Sequence, residues 1–144
     1  MTAPAPIDPR GPRLNQAVLA IGLAVAFVFE LRWLVPAFAL VLFSGAAFGP
    51  RYSPILRLYA ELIRPRLGPP AELEDPRPPR FAAAVGVVFL VGSTLAFLAG
   101  ASALAWVLAL VVAALAALAA VTGICVGCEL YVAVARRRGV ELVG

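Results

Sequence analysis

The sequence predicts an all-α integral membrane protein: four transmembrane helices as two hairpins, with an interfacial amphipathic helix on the cytoplasmic side between them. Three observations predict it. Apolar residues fill 62% of the 144 positions and charged residues only 14%, whereas a soluble domain carries about 25% charge. Four apolar runs follow one another, at 14–29, 33–48, 81–101 and 102–123. The phrase Asp-Pro-Arg-x-Pro-Arg occurs at 8–13 and again at 75–80, each time just upstream of such a run.

The first two runs, Leu14 to Phe29 and Trp33 to Phe48, have 16 residues each. At about 1.5 Å per residue they fall short of a hydrocarbon core of about 30 Å. Only Glu30-Leu31-Arg32 separates them, so they read as a short hairpin of two spans, with a re-entrant hairpin as the alternative. A cleaved signal peptide is disfavoured, because the first fourteen residues lack a compact basic region and a second apolar run follows at once. The third and fourth runs are long enough to span, and apolar residues continue to Val134.

All 12 basic residues are arginine and there is no histidine. Arg10, Arg13, Arg51, Arg57, Arg64, Arg66, Arg77, Arg80, Arg136, Arg137 and Arg138 fall on one side of a four-span layout, and only Arg32 on the other. That asymmetry predicts cytoplasmic termini and a cytoplasmic 49–80 segment, with Trp33 and Trp106 near the outer interface. Arginines so placed meet anionic headgroups, and the formal charge of +4 therefore implies a lipid bilayer as partner and no nucleic acid.

Between the hairpins, Tyr52, Ile55, Leu56, Tyr59, Leu62 and Ile63 recur at the spacing of one helical face, opposite Arg57, Glu61 and Arg64. Ser53 is placed to cap this interfacial helix, Pro54 suits its first turn and Pro65 ends the pattern. The helix lies on the membrane surface, packs on the spans, or both. "GPPAELEDPRPPR", at 68–80, reads as a turn-rich loop.

The doubled phrase suggests that the single membrane domain, 1–144, is a tandem repeat. A first hairpin unit with its interfacial helix covers 8–64, and a second unit with the cysteines covers 75–138. Asp8, Arg10, Pro12 and Arg13 answer to Asp75, Arg77, Pro79 and Arg80 at an offset of 67, and Trp33 answers to Trp106 at 73. Extra residues in the third span reconcile the offsets, and both units run in the same sense, which predicts a twofold axis along the membrane normal. Mechanically the phrase holds the chain out of helix until the first apolar residue. Arg10, Arg13, Arg77 and Arg80 then meet lipid phosphate, pair with Asp8 and Asp75 as a structural clasp, or bind an anionic substrate.

Chemistry concentrates in "TGICVGCELY", 122–131, which holds the two cysteines, Cys125 and Cys128. Their C-x-x-C spacing lets one thiol resolve a mixed disulfide formed by the other. Inert packing thiols are the plainer alternative. Two thiols without histidine make no complete zinc site in one chain, and no metal or cofactor is expected. In an unbroken helix Cys125, Cys128 and Glu129 share a face, and a disulfide there is strained. A break near Thr122-Gly123 instead places Cys125 in a first helical turn, where backbone N–H groups favour thiolate. Glu129 then either raises the thiol pKa or shuttles its proton.

"DPRGPRLNQ", the four-span layout and "GICVGCELY" followed by arginines resemble the bacterial family catalogued as domain of unknown function 4395, over nearly the whole chain. The resemblance implies a multi-pass protein of the bacterial plasma membrane. It further implies thiol or sulfur handling beside a cytoplasmic thioredoxin-like or rhodanese-like partner. The expected function is thus thiol redox or sulfur handling through a cytoplasm-facing pair, with Cys125, Cys128 and Glu129 as the catalytic candidates. The alternative is a non-catalytic membrane subunit or small sulfur-species carrier with structural cysteines.

Overall fold

The computed structural model describes residues 5–141; the extreme ends of the predicted 1–144 domain lie outside the described residues. The described chain is helical, without strands, apart from an isolated antiparallel bridge between Ile7 and Glu74. Helix α1 covers Arg10–Val28 and α2 covers Leu34–Phe48. A 3-10 turn at Pro50–Tyr52 leads into α3, Pro54–Leu58, a π-helical stretch at Tyr59–Ile63 and α4, Arg64–Leu67. Then come α5, Arg77–Leu98, α6, Ser102–Thr122, and α7, Val126–Arg137. Three of these, α1, α5 and α6, are long and apolar enough to cross a membrane. With 15 residues, α2 reaches only about 22 Å.

Both long N-terminal helices start inside the repeated phrase rather than after it. Asp8 Oδ1 accepts the Arg10 backbone N–H at 2.9 Å, and Asp75 Oδ1 accepts that of Arg77 at 2.9 Å. The expectation that the prolines exclude helix fails for a physical reason. A first-turn proline forfeits only an N–H that has no intrahelical partner anyway, and its fixed φ suits the helix.

The helices do not pair chiefly within their hairpins. α1 runs along α6, α2 along α5, and α5 also lies against α6, while α1 and α2 touch only lightly. Small residues explain the close approach: α6 buries Ala105, Ala109, Ala113, Ala116 and Ala119 on one stripe. Leu23, Val35 and Leu90 are fully enclosed between them. The Ser93 hydroxyl donates to the Ala105 carbonyl at 2.7 Å and ties α5 to α6. Trp106 is not an interfacial anchor: it is buried between Phe27 and Phe97, edge-to-face at 5.4 and 5.0 Å. Trp33 is exposed.

The two tight turns at the far end close alike. Leu31 N donates to Ala26 O at 2.8 Å with Glu30 at φ 52°, and Ala101 N donates to Ala96 O at 2.9 Å with Gly100 at φ 82°. At the near end, arginines staple neighbouring helix C-termini. Arg80 donates to the Ala46 and Ala47 carbonyls at 3.0 and 3.2 Å, and Arg13 to the Ala120 carbonyl at 3.3 Å.

The segment between α2 and α5 departs from expectation twice. Ser53 holds the N-cap position of α3, but its hydroxyl makes no capping bond. Pro65 does not end the helix, which runs on to Leu67. The π turn just before it is the reason: Arg64 N donates to Tyr59 O, five residues back, and this wider turn moves the carbonyls away from the proline ring. Tyr59 faces inward and donates to Asp8 Oδ2 at 2.8 Å, whereas Tyr52, Leu58 and Leu62 are exposed.

Candidate functional site

α6 stops at Thr122 because Gly123 takes a left-handed conformation, φ 77°, which an L side chain rarely adopts. The Thr122 hydroxyl donates to the Leu118 carbonyl at 2.6 Å and accepts the Ile124 N–H at 3.2 Å, fixing the exit. Two residues after the glycine, Cys125 is extended, φ −94° and ψ 112°, and is the N-cap of α7. The broken-helix arrangement is therefore the one adopted. The first bond of α7 runs from Glu129 N to Cys125 O, 2.9 Å.

This geometry sets the two sulfurs apart electrostatically. The Cys125 pKa is lowered to about 6, chiefly by the neighbouring Cys128 thiol one turn on and then by the backbone N–H groups of Cys128 and Gly127 at the start of α7. Partial burial and the Glu129 charge oppose the shift without reversing it. The Cys128 pKa is raised, first because its proton is held by Cys125 and then by burial and nearby carboxylates. One thiolate and one thiol within reach form a nucleophile with a resolving partner. Both cysteines are free and half-buried.

The first turn of α7 lies unusually close to α5. A Cβ on Gly127 would stand 2.8 Å from the Ala82 Cβ and 3.0 Å from its Cα, so the middle of Cys-Val-Gly-Cys must be glycine for the backbones to meet.

Two cavities share Cys125 in their walls. One, of about 460 Å³, is polar and includes Arg13, Glu74, Cys125, Cys128, Glu129 and Arg136 in its wall. The other, of about 110 Å³, lies among α1, α2, α5 and α6 and is largely apolar, with Asn15, Leu42, Gly86, Ala116 and Cys125 in its lining. Asn15 is only 9% exposed, and its Oδ1 has no hydrogen-bond partner among the described residues. Neither Asn15 nor Gly127 was singled out as functional from sequence. An asparagine opening an apolar run is the signal that marked the first.

Of the predicted site residues, Cys125, Cys128 and Glu129 come together, with Glu129 exposed at the rim of the polar cavity. The predicted binding arginines are spread out. Arg77 pairs with Asp75, its Nε at 2.9 and 3.0 Å from the two carboxylate oxygens, and also reaches the Glu141 carbonyl at 2.8 Å. Arg10 lies beside Tyr59, Arg80 caps α2 and also lines the apolar cavity, and Arg13 borders the polar one. Of these contacts, the Arg77–Asp75 pair is the one the clasp reading describes.

Comparison with curated proteins and with solved structures finds no match. A family model does match, over residues 7–136, which takes in every helix but the last residue of α7. The chain belongs to the family described as domain of unknown function (DUF4395).

Proposed function

We propose that the protein sits in the bacterial plasma membrane with both termini cytoplasmic, and that Cys125 and Cys128 exchange a disulfide, or sulfane sulfur, with a soluble thioredoxin-like or rhodanese-like partner. One observation carries this reading: Cys125 is the extended N-cap of α7 with Cys128 one turn on, and the closeness of the two thiols lowers the Cys125 pKa while raising that of Cys128. In the exchange, the Cys125 thiolate attacks a partner disulfide and the partner's leaving sulfur departs as thiolate. Cys128 then loses its proton and attacks the Cys125 sulfur, which frees the partner's second thiol and leaves a Cys125–Cys128 disulfide. The polar cavity beside both sulfurs is the approach for such a partner.

The placement of the pair follows from a two-unit architecture in which 8–64 and 75–138 are repeats and α2 completes a fourth, shorter crossing. Support comes from the matched Asp–Arg starts, the matched turns at Glu30 and Gly100, the arginine staples, and the reciprocal Ile7–Glu74 bonds of 2.9 Å. In that frame Cys125 stands where the first unit has Ser53: both are extended N-caps. The extra length lies in α5 and α6, which are three and six residues longer than α1 and α2, while the turn after α5 and the link to α7 are each two residues shorter than their counterparts.

The test is differential alkylation of both cysteines in membranes after oxidant and then reductant. A reversible intramolecular disulfide, with thiols labelled by a water-soluble maleimide from the cytoplasmic side only, is expected. Thiols that stay reduced under oxidant, or unlabelled until denaturation, would make the pair structural and the protein a non-catalytic subunit or carrier.

A further inference from the structure

The polar cavity gives Cys125 one neighbourhood, but the residue also lines the small apolar cavity in the bundle, where the exchange reading leaves the Asn15 amide without a role. Three properties of that cavity define what it takes. Its volume of about 110 Å³ admits a molecule no larger than about benzene. Its lining is mostly apolar, with Leu19, Leu42, Val112 and Ala116, and its charged member Arg80 is engaged by the Ala46 and Ala47 carbonyls, so the wall favours a neutral ligand. The buried Asn15 Oδ1 lacks a donor among the described residues, and a ligand supplying an O–H removes that cost. Val111 and Leu115 line the cavity and are also exposed on the outer surface of α6. A neutral molecule dissolved in the apolar phase thus has a side entrance that avoids the polar cavity.

We propose that this cavity is a binding site for a small neutral hydroperoxide, which donates its O–H to Asn15 Oδ1 and presents its O–O bond to the Cys125 sulfur. The hydroperoxide is then the oxidant that sets the pair for exchange; the inference rests on the exchange reading given above. The Cys125 thiolate attacks the terminal oxygen, the O–O bond breaks, and Cys125 becomes a sulfenic acid while the alkoxide leaves. That alkoxide takes the Cys128 proton and departs as the alcohol. The Cys128 thiolate attacks the Cys125 sulfur, the S–O bond breaks and hydroxide leaves. The sum is two thiols and one hydroperoxide giving one disulfide, one alcohol and one water once hydroxide is protonated. The soluble dithiol partner returns both electrons through the polar cavity by the reverse of the exchange described above: its thiolate attacks the Cys125–Cys128 disulfide and its second thiol resolves the mixed disulfide, which restores both cysteines to thiols and leaves the partner oxidised.

The experiment follows disulfide formation in the reduced full-length protein in detergent, with three oxidants: tert-butyl hydroperoxide, the larger cumene hydroperoxide, and the charged aromatic disulfide 5,5′-dithiobis(2-nitrobenzoate), which is confined to the polar side. Each hydroperoxide rate is divided by the rate of the same reagent with free cysteine. Expected are a tert-butyl hydroperoxide value at least tenfold above that for cumene hydroperoxide, and a roughly tenfold fall in Asn15→Leu of the ratio between the tert-butyl hydroperoxide and charged-disulfide rates. The ratio is taken within each protein, so a general loss of folded protein cancels. If the charged disulfide oxidises the pair but the hydroperoxides show no size discrimination, or the Asn15→Leu ratio is unchanged, the cavity proposal is overturned and the exchange reading stands. If no oxidant closes the pair, the exchange reading falls and takes this one with it.

Discussion

A cysteine at a helix N-cap is offered backbone N–H groups that have no intrahelical partner, and at Cys125 a second thiol adds to them. The depressed pKa has a definite sign: thiolate persists above about pH 6 and is lost as the pH falls through that value. The rate of Cys125 alkylation by iodoacetamide should therefore reach half its plateau near pH 6, with Cys128 unreactive until the pair is disturbed. Because a thiol proton supplies the largest part of the shift, Cys128→Ser, which keeps an O–H donor, should hold the midpoint low. Cys128→Ala should raise it by about one unit, a tenfold loss of thiolate at acid pH. Equal midpoints in the two variants would assign the shift to the backbone alone. The spacing of the two cysteines was legible from the sequence, but their asymmetry only as one of two alternatives, because it depends on whether a helix breaks within an apolar run.

That break belongs to the element scale, as do the two places where helices begin or turn against the expected pattern. Gly123 was readable as an interruption, yet the same run of small residues was compatible with a continuous helix; only the Thr122 hydroxyl bonds and the approach of α7 to α5 decide it. Gly127→Val should force α7 off α5 and destabilise the protein by about 1–3 kcal/mol, read as a lower thermal midpoint together with loss of the low Cys125 alkylation midpoint. An unchanged midpoint would mean that the α5 contact does not hold the site. At the opposite end, Glu30 carries a φ of 52° in a turn that its counterpart makes with Gly100. A left-handed L residue costs about 1–2 kcal/mol, so Glu30→Gly should stabilise by about 1 kcal/mol in thermal unfolding, without effect on the thiols. The doubled Asp-Pro-Arg-x-Pro-Arg phrase announced both helix starts but was misread as excluding helix, since a first-turn proline and an interior one look alike until the register is known.

Across the whole molecule, the polar machinery gathers at one end of the bundle: the Asp8 and Asp75 starts, the Arg13 and Arg80 staples and both cysteines. Arginines crowd that same end, and Arg32 alone among them sits at the other, over the Phe97 ring at 5.5 Å. The topology prediction gains a structural reason from this. Arg80, in the first turns of α5, bonds the last carbonyls of α2, so the C-terminal end of α2 is level with the N-terminal end of α5. α2 therefore returns to the arginine-rich end despite its 15 residues. At about 22 Å against the about 32 Å of α6, the α1–α2 side should thin the bilayer locally rather than stop short as a re-entrant loop. Reporter fusions after residues 31, 70, 101 and 144 should give periplasmic signals at 31 and 101 and cytoplasmic signals at 70 and 144. A periplasmic signal at 70 would overturn this arrangement; a cytoplasmic one at 31 would make the first hairpin re-entrant. In the expected arrangement the cysteine pair opens its polar cavity toward the cytoplasm and its apolar cavity toward the membrane interior. That is the placement a thiol pair needs to pass electrons between a soluble protein and a lipid-soluble small molecule.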